Sequence, residues 1–171
     1  LGKVIVVDAN KCYACLGCVV ECAYRRAGAD ENAPLTSAIF SQAACDVVAV
    51  GIEPVPLVCN HCEDAPCLQV CPTGAIQRSS PEAPVLLKAE LCIGCKACIL
   101  ACPFGMIRLR KTDAGGRAIK CDLCSDRQAK GLLPACVTAC PSGALTLKEL
   151  DDVVGAAKKR AAAELLAGRN K

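Results

Sequence analysis

Sixteen of the seventeen cysteines stand in four quartets: Cys12-Cys15-Cys18-Cys22, Cys59-Cys62-Cys67-Cys71, Cys92-Cys95-Cys98-Cys102 and Cys121-Cys124-Cys136-Cys140. No other feature limits the possible folds of the chain so tightly. Each quartet must bring its thiols together while the backbone turns around them. Three quartets run straight into proline, at Pro72, Pro103 and Pro141, and the first runs into Ala23. Quartets one and three share the spacing C-x2-C-x2-C-x3-C.

Cysteine makes up about one residue in ten, outside the usual globular range, so the thiols are either disulfide-bonded or metal-bound. An odd count, short spacing within each quartet and no secretory signal favour metal. C-x2-C-x2-C-x3-C-P is the run by which bacterial ferredoxins hold 4Fe–4S cubanes. The predicted cofactors are therefore four 4Fe–4S clusters. A structural zinc-binding interaction module is the alternative from another class, since C-x2-C pairs also suit zinc. Three ligands crowded on one loop fit zinc less well.

Aromatic side chains are few: Tyr13, Tyr24, Phe40 and Phe104, with no Trp. So thin an apolar core predicts an apo chain that folds poorly, with clusters supplying folding energy. The formal charge is +3. Sixteen thiolates outweigh the positive charge of four oxidised cluster cores, so the loaded protein is mildly acidic. Lys and Arg are scattered, with no basic stripe carrying aromatics, which argues against nucleic acid as a partner. No apolar run approaches the ~20 residues of a membrane span, and no leader is evident; the expected location is cytoplasmic.

The chain repeats itself. Cys71-Pro72-Thr73-Gly74-Ala75-Ile76 recurs as Cys140-Pro141-Ser142-Gly143-Ala144-Leu145, and more loosely after Cys102. The run Val7 to Cys12 matches Leu87 to Cys92 in register. Each unit reads as strand, cysteine loop, short helix, turn, strand. Strands are predicted at 3–8, 85–88, 107–110 and 144–147. Short helices are predicted between the third and fourth cysteines, ended by proline, with Gly74 or Gly143 in the turn that follows. The predicted class is α+β: two pseudo-symmetric, bacterial-ferredoxin-like double-cluster lobes with an insert and a C-terminal helix. Lobe 1 takes residues 1–27 and 111–147, and lobe 2 takes 59–110. The insert, 28–58, carries an apolar strand near 47–52, packs over one lobe and offers partner surface. The tail, 148–171, is predicted to be a helix packed on its own lobe. Thr146 and Glu149 form its capping box, and Leu150, Val153, Val154, Ala157, Ala161 and Leu165 recur at helical spacing up to Gly168.

Cys59-Asn60-His61-Cys62 with Pro66-Cys67, and Lys120-Cys121-Asp122-Leu123-Cys124 with Pro134-Ala135-Cys136, are distinctive. In these motifs the chain resembles the four-cluster iron–sulfur subunits of redox complexes, over residues 3–147. That family serves the dimethyl sulfoxide reductase, formate dehydrogenase, carbon monoxide dehydrogenase, hydrogenase and tungsten aldehyde oxidoreductase complexes. The resemblance implies that quartet one pairs with four, and two with three. Cluster a then takes Cys12, Cys15, Cys18 and Cys140, and cluster b takes Cys121, Cys124, Cys136 and Cys22. Cluster c takes Cys59, Cys62, Cys67 and Cys102, and cluster d takes Cys92, Cys95, Cys98 and Cys71. It also implies an electron-transfer subunit with no catalysis of its own. Its partners are a catalytic redox subunit (Mo/W enzyme, carbon monoxide dehydrogenase or hydrogenase type) and a second electron carrier or flavin subunit, with stacking into longer assemblies conceivable. A free-standing polyferredoxin is the runner-up. The chain lacks the long inserts and membrane-docking tail of larger members, which implies a soluble assembly.

Nothing in the sequence suggests a substrate reaction: there is no nucleophile–base constellation, phosphate loop or dinucleotide fingerprint. Backbone N–H groups near Ala14, Gly17, Gly94 and Ala97 are expected to hydrogen-bond sulfur. The lone His61 is read as a non-ligand that shapes the loop or hydrogen-bonds a sulfur, and Cys45 as a small buried hydrophobe. Tyr13 is read as packing, and Arg25, Arg26 and Lys158-Lys159-Arg160 as solvated faces.

Overall fold

Proline placement decides where the helices end. The computed structural model describes residues 2–30, 32–112 and 115–168. In its first half lie β1 (Lys3–Val7), α1 (Gly17–Ala27), α2 (Ser37–Phe40), β2 (Asp46–Val50), β3 (Glu53–Leu57), α3 (Pro66–Gln69) and β4 (Ile76–Gln77). Next come β5 (Leu86–Leu87), α4 (Ala97–Ala101), β6 (Arg108–Thr112) and β7 (Gly115–Ile119). Last are α5 (Ser125–Gln128), α6 (Ala135–Thr138), β8 (Leu145–Glu149) and α7 (Leu150–Gly168). Before Pro72, Pro103 and Pro141 the helices α3, α4 and α6 span only four or five residues. Cys22 precedes Ala23, not proline, and α1 runs on for eleven residues. A ring in place of the N–H, clashing with the preceding turn, accounts for the difference.

The architecture is mixed α and β, with four two-stranded antiparallel sheets among the described residues. β1 pairs with β8, Lys3 opposite Glu149 and Val7 opposite Leu145. β4 pairs with β5 at the matching place in the repeat. The correspondence extends to single bonds: Asp8 N–H donates to Ala144 C=O at 2.8 Å, and Lys88 N–H to Ala75 C=O at 2.8 Å. The turns after the prolines match too, with Gly74 at φ 62° and Gly143 at φ 67°, a region glycine enters without steric cost.

The apolar interior has two centres. One gathers Ile5, Val19, Ala23, Ala44, Cys45, Val58, Ile119 and Leu145. The other gathers Ala65, Ile76, Val85, Ile107 and Ala118. Neighbouring residues of β7 serve different centres, Ala118 one and Ile119 the other. No aromatic ring is buried: the largest fully buried side chains are Leu145, Val19, Val85 and Pro134. Leu145, Val19 and Val85 each supply roughly 1.5–3 kcal/mol. The buried thiols Cys18, Cys22, Cys67, Cys98 and Cys136 belong to these same centres. Packing and cysteine sites are one structure.

Several expectations are corrected. The insert carries a hairpin, β2–β3, where one strand near 47–52 was expected; Val50 faces Glu53 across its turn. Pro54 and Pro56 lie in β3, which a two-stranded ribbon tolerates because one edge of each strand is unpaired. Strand β6 runs on to Thr112, past the end of the predicted strand 107–110, because β7 pairs with it. The capping box does not form: Thr146 and Glu149 are in β8, opposite Val6 and Lys3, and α7 begins at Leu150. Asp151 and Asp152 stand in its first turn, where acidic groups favour the helix dipole. The helix forms but does not pack along its length: Val154, Leu165 and Leu166 are exposed. Positions 1, 31, 113–114 and 169–171, parts of the predicted lobe 1, insert and tail, lie outside the described residues.

Candidate cluster-binding sites

Cysteine loops one and three share a backbone path. A single 3-10 turn, Ala9–Lys11 or Ala89–Leu91, delivers the first cysteine. The chain then enters the left-handed region at Ala14 (φ 61°) and Leu16 (φ 59°), and correspondingly at Gly94 (φ 70°) and Lys96 (φ 68°). A left-handed non-glycine residue costs roughly 1–2 kcal/mol. Alternating such residues with ordinary ones turns successive N–H groups toward the inside of the loop, a concavity suited to an anion. In the fourth quartet the left-handed residues, Leu123 (φ 54°) and Cys124 (φ 50°), are consecutive and do not alternate with ordinary ones.

Two pockets show which thiols the fold assembles. One, with about 370 Å³ of space between atoms, is lined by Cys59, Cys62 and Cys67 together with Cys102 from the third quartet. The other, about 360 Å³, is lined by Cys92, Cys95 and Cys98 together with Cys71 from the second. The thiols ring these spaces and do not converge on a point; among the described residues, no three His, Cys, Asp or Glu groups close tightly enough for one metal ion. In the other half of the molecule, Cys140 lies within electrostatic reach of Cys18 and of Tyr13, which also senses Cys12 and Cys15. Cys124 and Cys121 each sense Cys136. Cys45 lies beside Cys18, Cys22 and Cys136.

Backbone donors that reach sulfur among the described residues include four at measured distances: Ala44 N–H to Cys22 Sγ (3.4 Å), Ala118 N–H to Cys92 Sγ (3.4 Å), Leu123 N–H to Cys121 Sγ (3.3 Å) and Ala135 N–H to Cys124 Sγ (3.5 Å). These are not the donors expected at Ala14, Gly17, Gly94 and Ala97. Two of the four come from outside the cysteine loops, from the insert and from β7, and no local pattern marks them. Thr73 and Ser142 place hydroxyls 3.8 and 3.7 Å from Cys71 and Cys140.

His61 is a loop anchor. Its Nδ1 accepts Val85 N–H at 3.1 Å, so the proton of the neutral ring sits on Nε2. Burial first, then the charge of Lys120, holds its pKa down at about 3. Nε2 is buried without a protein partner, and His61 lines the Cys59 pocket, so a sulfur acceptor there would satisfy it. Arg25 and Arg26 are not on a solvated face. The longer α1 carries them onto the fourth quartet's loop, where Arg25 grips Asp122 with Nη1 at 2.9 and 3.1 Å and also pairs with Asp126. Arg26 lies 3.5 Å from the same Asp122 carboxylate. Asp122 in turn accepts Cys124 N–H at 3.0 Å, so this ion network braces the loop. Lys158, Lys159 and Arg160 are exposed as expected. Tyr13 is 59% exposed beside the first loop and does not pack in the core.

Burial pushes the thiols of Cys98 and Cys124 up to about 11 and that of Cys121 higher still. The hydrogen bond with Cys45 takes Cys18 and Cys22 the other way, down to about 7 and about 6, whereas the raised thiols resist ionising unless a cation meets them. A cationic iron–sulfur core fits that donor set: four soft sulfurs around each space, N–H groups aimed at sulfur, and an orphaned ring donor.

Known proteins agree on the class. Residues 50–150 match the 4Fe-4S dicluster domain. Electron transport protein HydN of Escherichia coli is 37% identical over 141 residues, covering 75% of this chain and 79% of HydN. A tetrathionate reductase subunit from Archaeoglobus fulgidus is 40% identical over 126 residues, 72% of this chain and 56% of that protein. An iron–sulfur protein of Rhodospirillum rubrum is 35% identical over 135 residues, 74% and 70% of the two chains. Cysteine loops and matches together define a ferredoxin-type iron–sulfur protein of electron transport, binding 4Fe–4S clusters. The chain belongs to the 4Fe-4S dicluster domain family. That membership sets aside the zinc module. Among the described residues, no helix is long and apolar enough to cross a membrane.

Proposed function

We propose that this chain holds four 4Fe–4S clusters in two double-cluster lobes and relays electrons between a catalytic redox subunit and a second carrier in the cytoplasm. The observation that carries the reading is the composition of the two pockets: three thiols from one quartet and the fourth from its partner quartet, in both directions. Crossed supply of this kind is how two-cluster ferredoxins lock their halves together. The proposed ligand sets are Cys59, Cys62, Cys67 and Cys102; Cys92, Cys95, Cys98 and Cys71; Cys12, Cys15, Cys18 and Cys140; and Cys121, Cys124, Cys136 and Cys22.

When bound, the clusters supply one-electron redox stations. The protein's part is to hold, space and expose them. Cys15 and Cys95 are the exposed ligands, with Tyr13 and Ile93 exposed beside them. These two loops are the proposed faces for donor and acceptor. The charge of Cys59 reaches Cys121, which supports a back-to-back arrangement of the remaining two proposed sites. The partner is a catalytic subunit of the molybdenum or tungsten, carbon monoxide dehydrogenase or hydrogenase type, as the relative named for tetrathionate reductase supports for partnership in general.

Anaerobic purification tests both halves. About sixteen iron and sixteen acid-labile sulfide per chain are expected. Half that content would sink the four-cluster reading. A catalytic redox subunit should co-purify from the native host, and recovery of the chain alone would favour a free-standing polyferredoxin.

A further inference from the structure

A lysine ammonium has three N–H bonds to place. Lys120 directs them to the carbonyl oxygens of Val85 (2.8 Å) and Cys121 (3.1 Å) and to Cys59 Sγ (3.4 Å). The residue is 2% exposed and is the one charged group buried in the core of the described residues. Carbonyl dipoles satisfy hydrogen bonds but do not neutralise a charge. Among the described residues no carboxylate pairs with Lys120, and neighbouring Asp122 is engaged by Arg25 and Arg26. A cation withdrawn from water without an anion is unfavourable. The anion within reach is sulfur: Cys59, with Cys62, Cys67 and Cys102 around the pocket that Lys120 also lines.

We propose that Lys120 is a potential-setting residue: its fixed ammonium, held where the Cys59 pocket meets the Cys121 loop, raises the reduction potential of the cluster bound through Cys59. The inference rests on the ligand sets proposed above. An added electron makes a cluster more negative, and a cation hydrogen-bonded to a ligand sulfur stabilises the more negative state. Low-dielectric surroundings strengthen the interaction. Lys120 meets Cys121 through a carbonyl and not through sulfur, so the effect on the cluster of Cys121 is smaller. The same ammonium ties Val85 to Cys121, so a purely structural pin is the competing role, and only potentials separate the two.

The test is a redox titration followed by electron paramagnetic resonance, with dithionite as reductant, on anaerobically purified protein. Wild type is compared with Lys120→Met, Lys120→Gln (a neutral donor) and Lys120→Arg (a retained charge). In the Met and Gln variants one signal should become at least tenfold harder to reduce in its equilibrium constant, about 59 mV for a one-electron couple. Cys59→Ser should disturb that same signal, and Lys120→Arg should restore most of the shift. Loss of a single cluster's iron in the Met and Gln variants makes Lys120 a structural pin and overturns the proposal. Full iron and sulfide with every signal unmoved, or a shift spread equally over all signals, also overturns it. Wild-type protein lacking the expected iron would instead overturn the ligand sets.

Discussion

Cys45 donates a hydrogen bond from its thiol to the carbonyl oxygen of Cys18 across 3.3 Å. The seventeenth cysteine thus braces a cysteine loop from the insert and is 4% exposed. Cys45→Ala should leave iron and sulfide per chain unchanged. It should cost about 1–2 kcal/mol through a lost bond and a small void. Calorimetry of the loaded protein should register a fall of a few degrees in Tm; loss of a cluster's worth of iron would instead make Cys45 a ligand.

Cys140 tests the pairing of the outer quartets. It senses the charge of Cys18, and its side chain lies near Ser142 Oγ. Cys140→Ser should alter the spectrum of the cluster bound through Cys12, Cys15 and Cys18. If the perturbed signal is instead the one altered by Cys121→Ser, the crossed ligand set is wrong.

Gly94 and Gly28 have nearly the same backbone angle, φ 70° and φ 62°, in different company. A methyl on Gly94 would drive into the backbone carbonyl of Gly116, whereas one on Gly28 would meet nothing within 4 Å. Gly28→Ala should cost about 1 kcal/mol, the conformational term alone. Gly94→Ala adds overpacking of roughly 1–3 kcal/mol. It should also distort the loop of Cys92 and Cys95, so the spectrum of their cluster shifts in the Gly94 variant and not in the Gly28 variant.

Removing the iron should unfold the chain. The core contains no buried aromatic ring, and its thiols share both apolar centres with the aliphatic side chains. Anaerobic chelation is expected to abolish hydrogen-exchange protection at Ile5, Val85 and Leu145 together. An apo chain keeping protection in β1 and β8 would show that packing suffices.

Local chemistry was legible in advance. Quartet spacing announced iron–sulfur binding, and proline after the last cysteine announced short helices at α3, α4 and α6. The register match of residues 7–12 with 87–92 is mirrored in the equivalent bonds of Asp8 and Lys88. Each of these depends on residues a few positions apart, where covalent geometry leaves little choice. The tail shows the limit of such reasoning. Helical spacing correctly indicated α7, but strand pairing with β1 took Thr146 and Glu149 from its start, and Val154, Leu165 and Leu166 stayed exposed.

Alone, the chain's order of residues announces 4Fe–4S binding through cysteine sulfur atoms and where the backbone must turn, because those are short-range constraints. Folding in three dimensions settles what surrounds those atoms. Arg25 meets Asp122 across 97 positions, Lys120 meets Cys59 across 61, and Ala44 meets Cys22 across 22. Contacts at such separations arise only when distant segments bury their apolar faces together, and no periodicity in the chain encodes them.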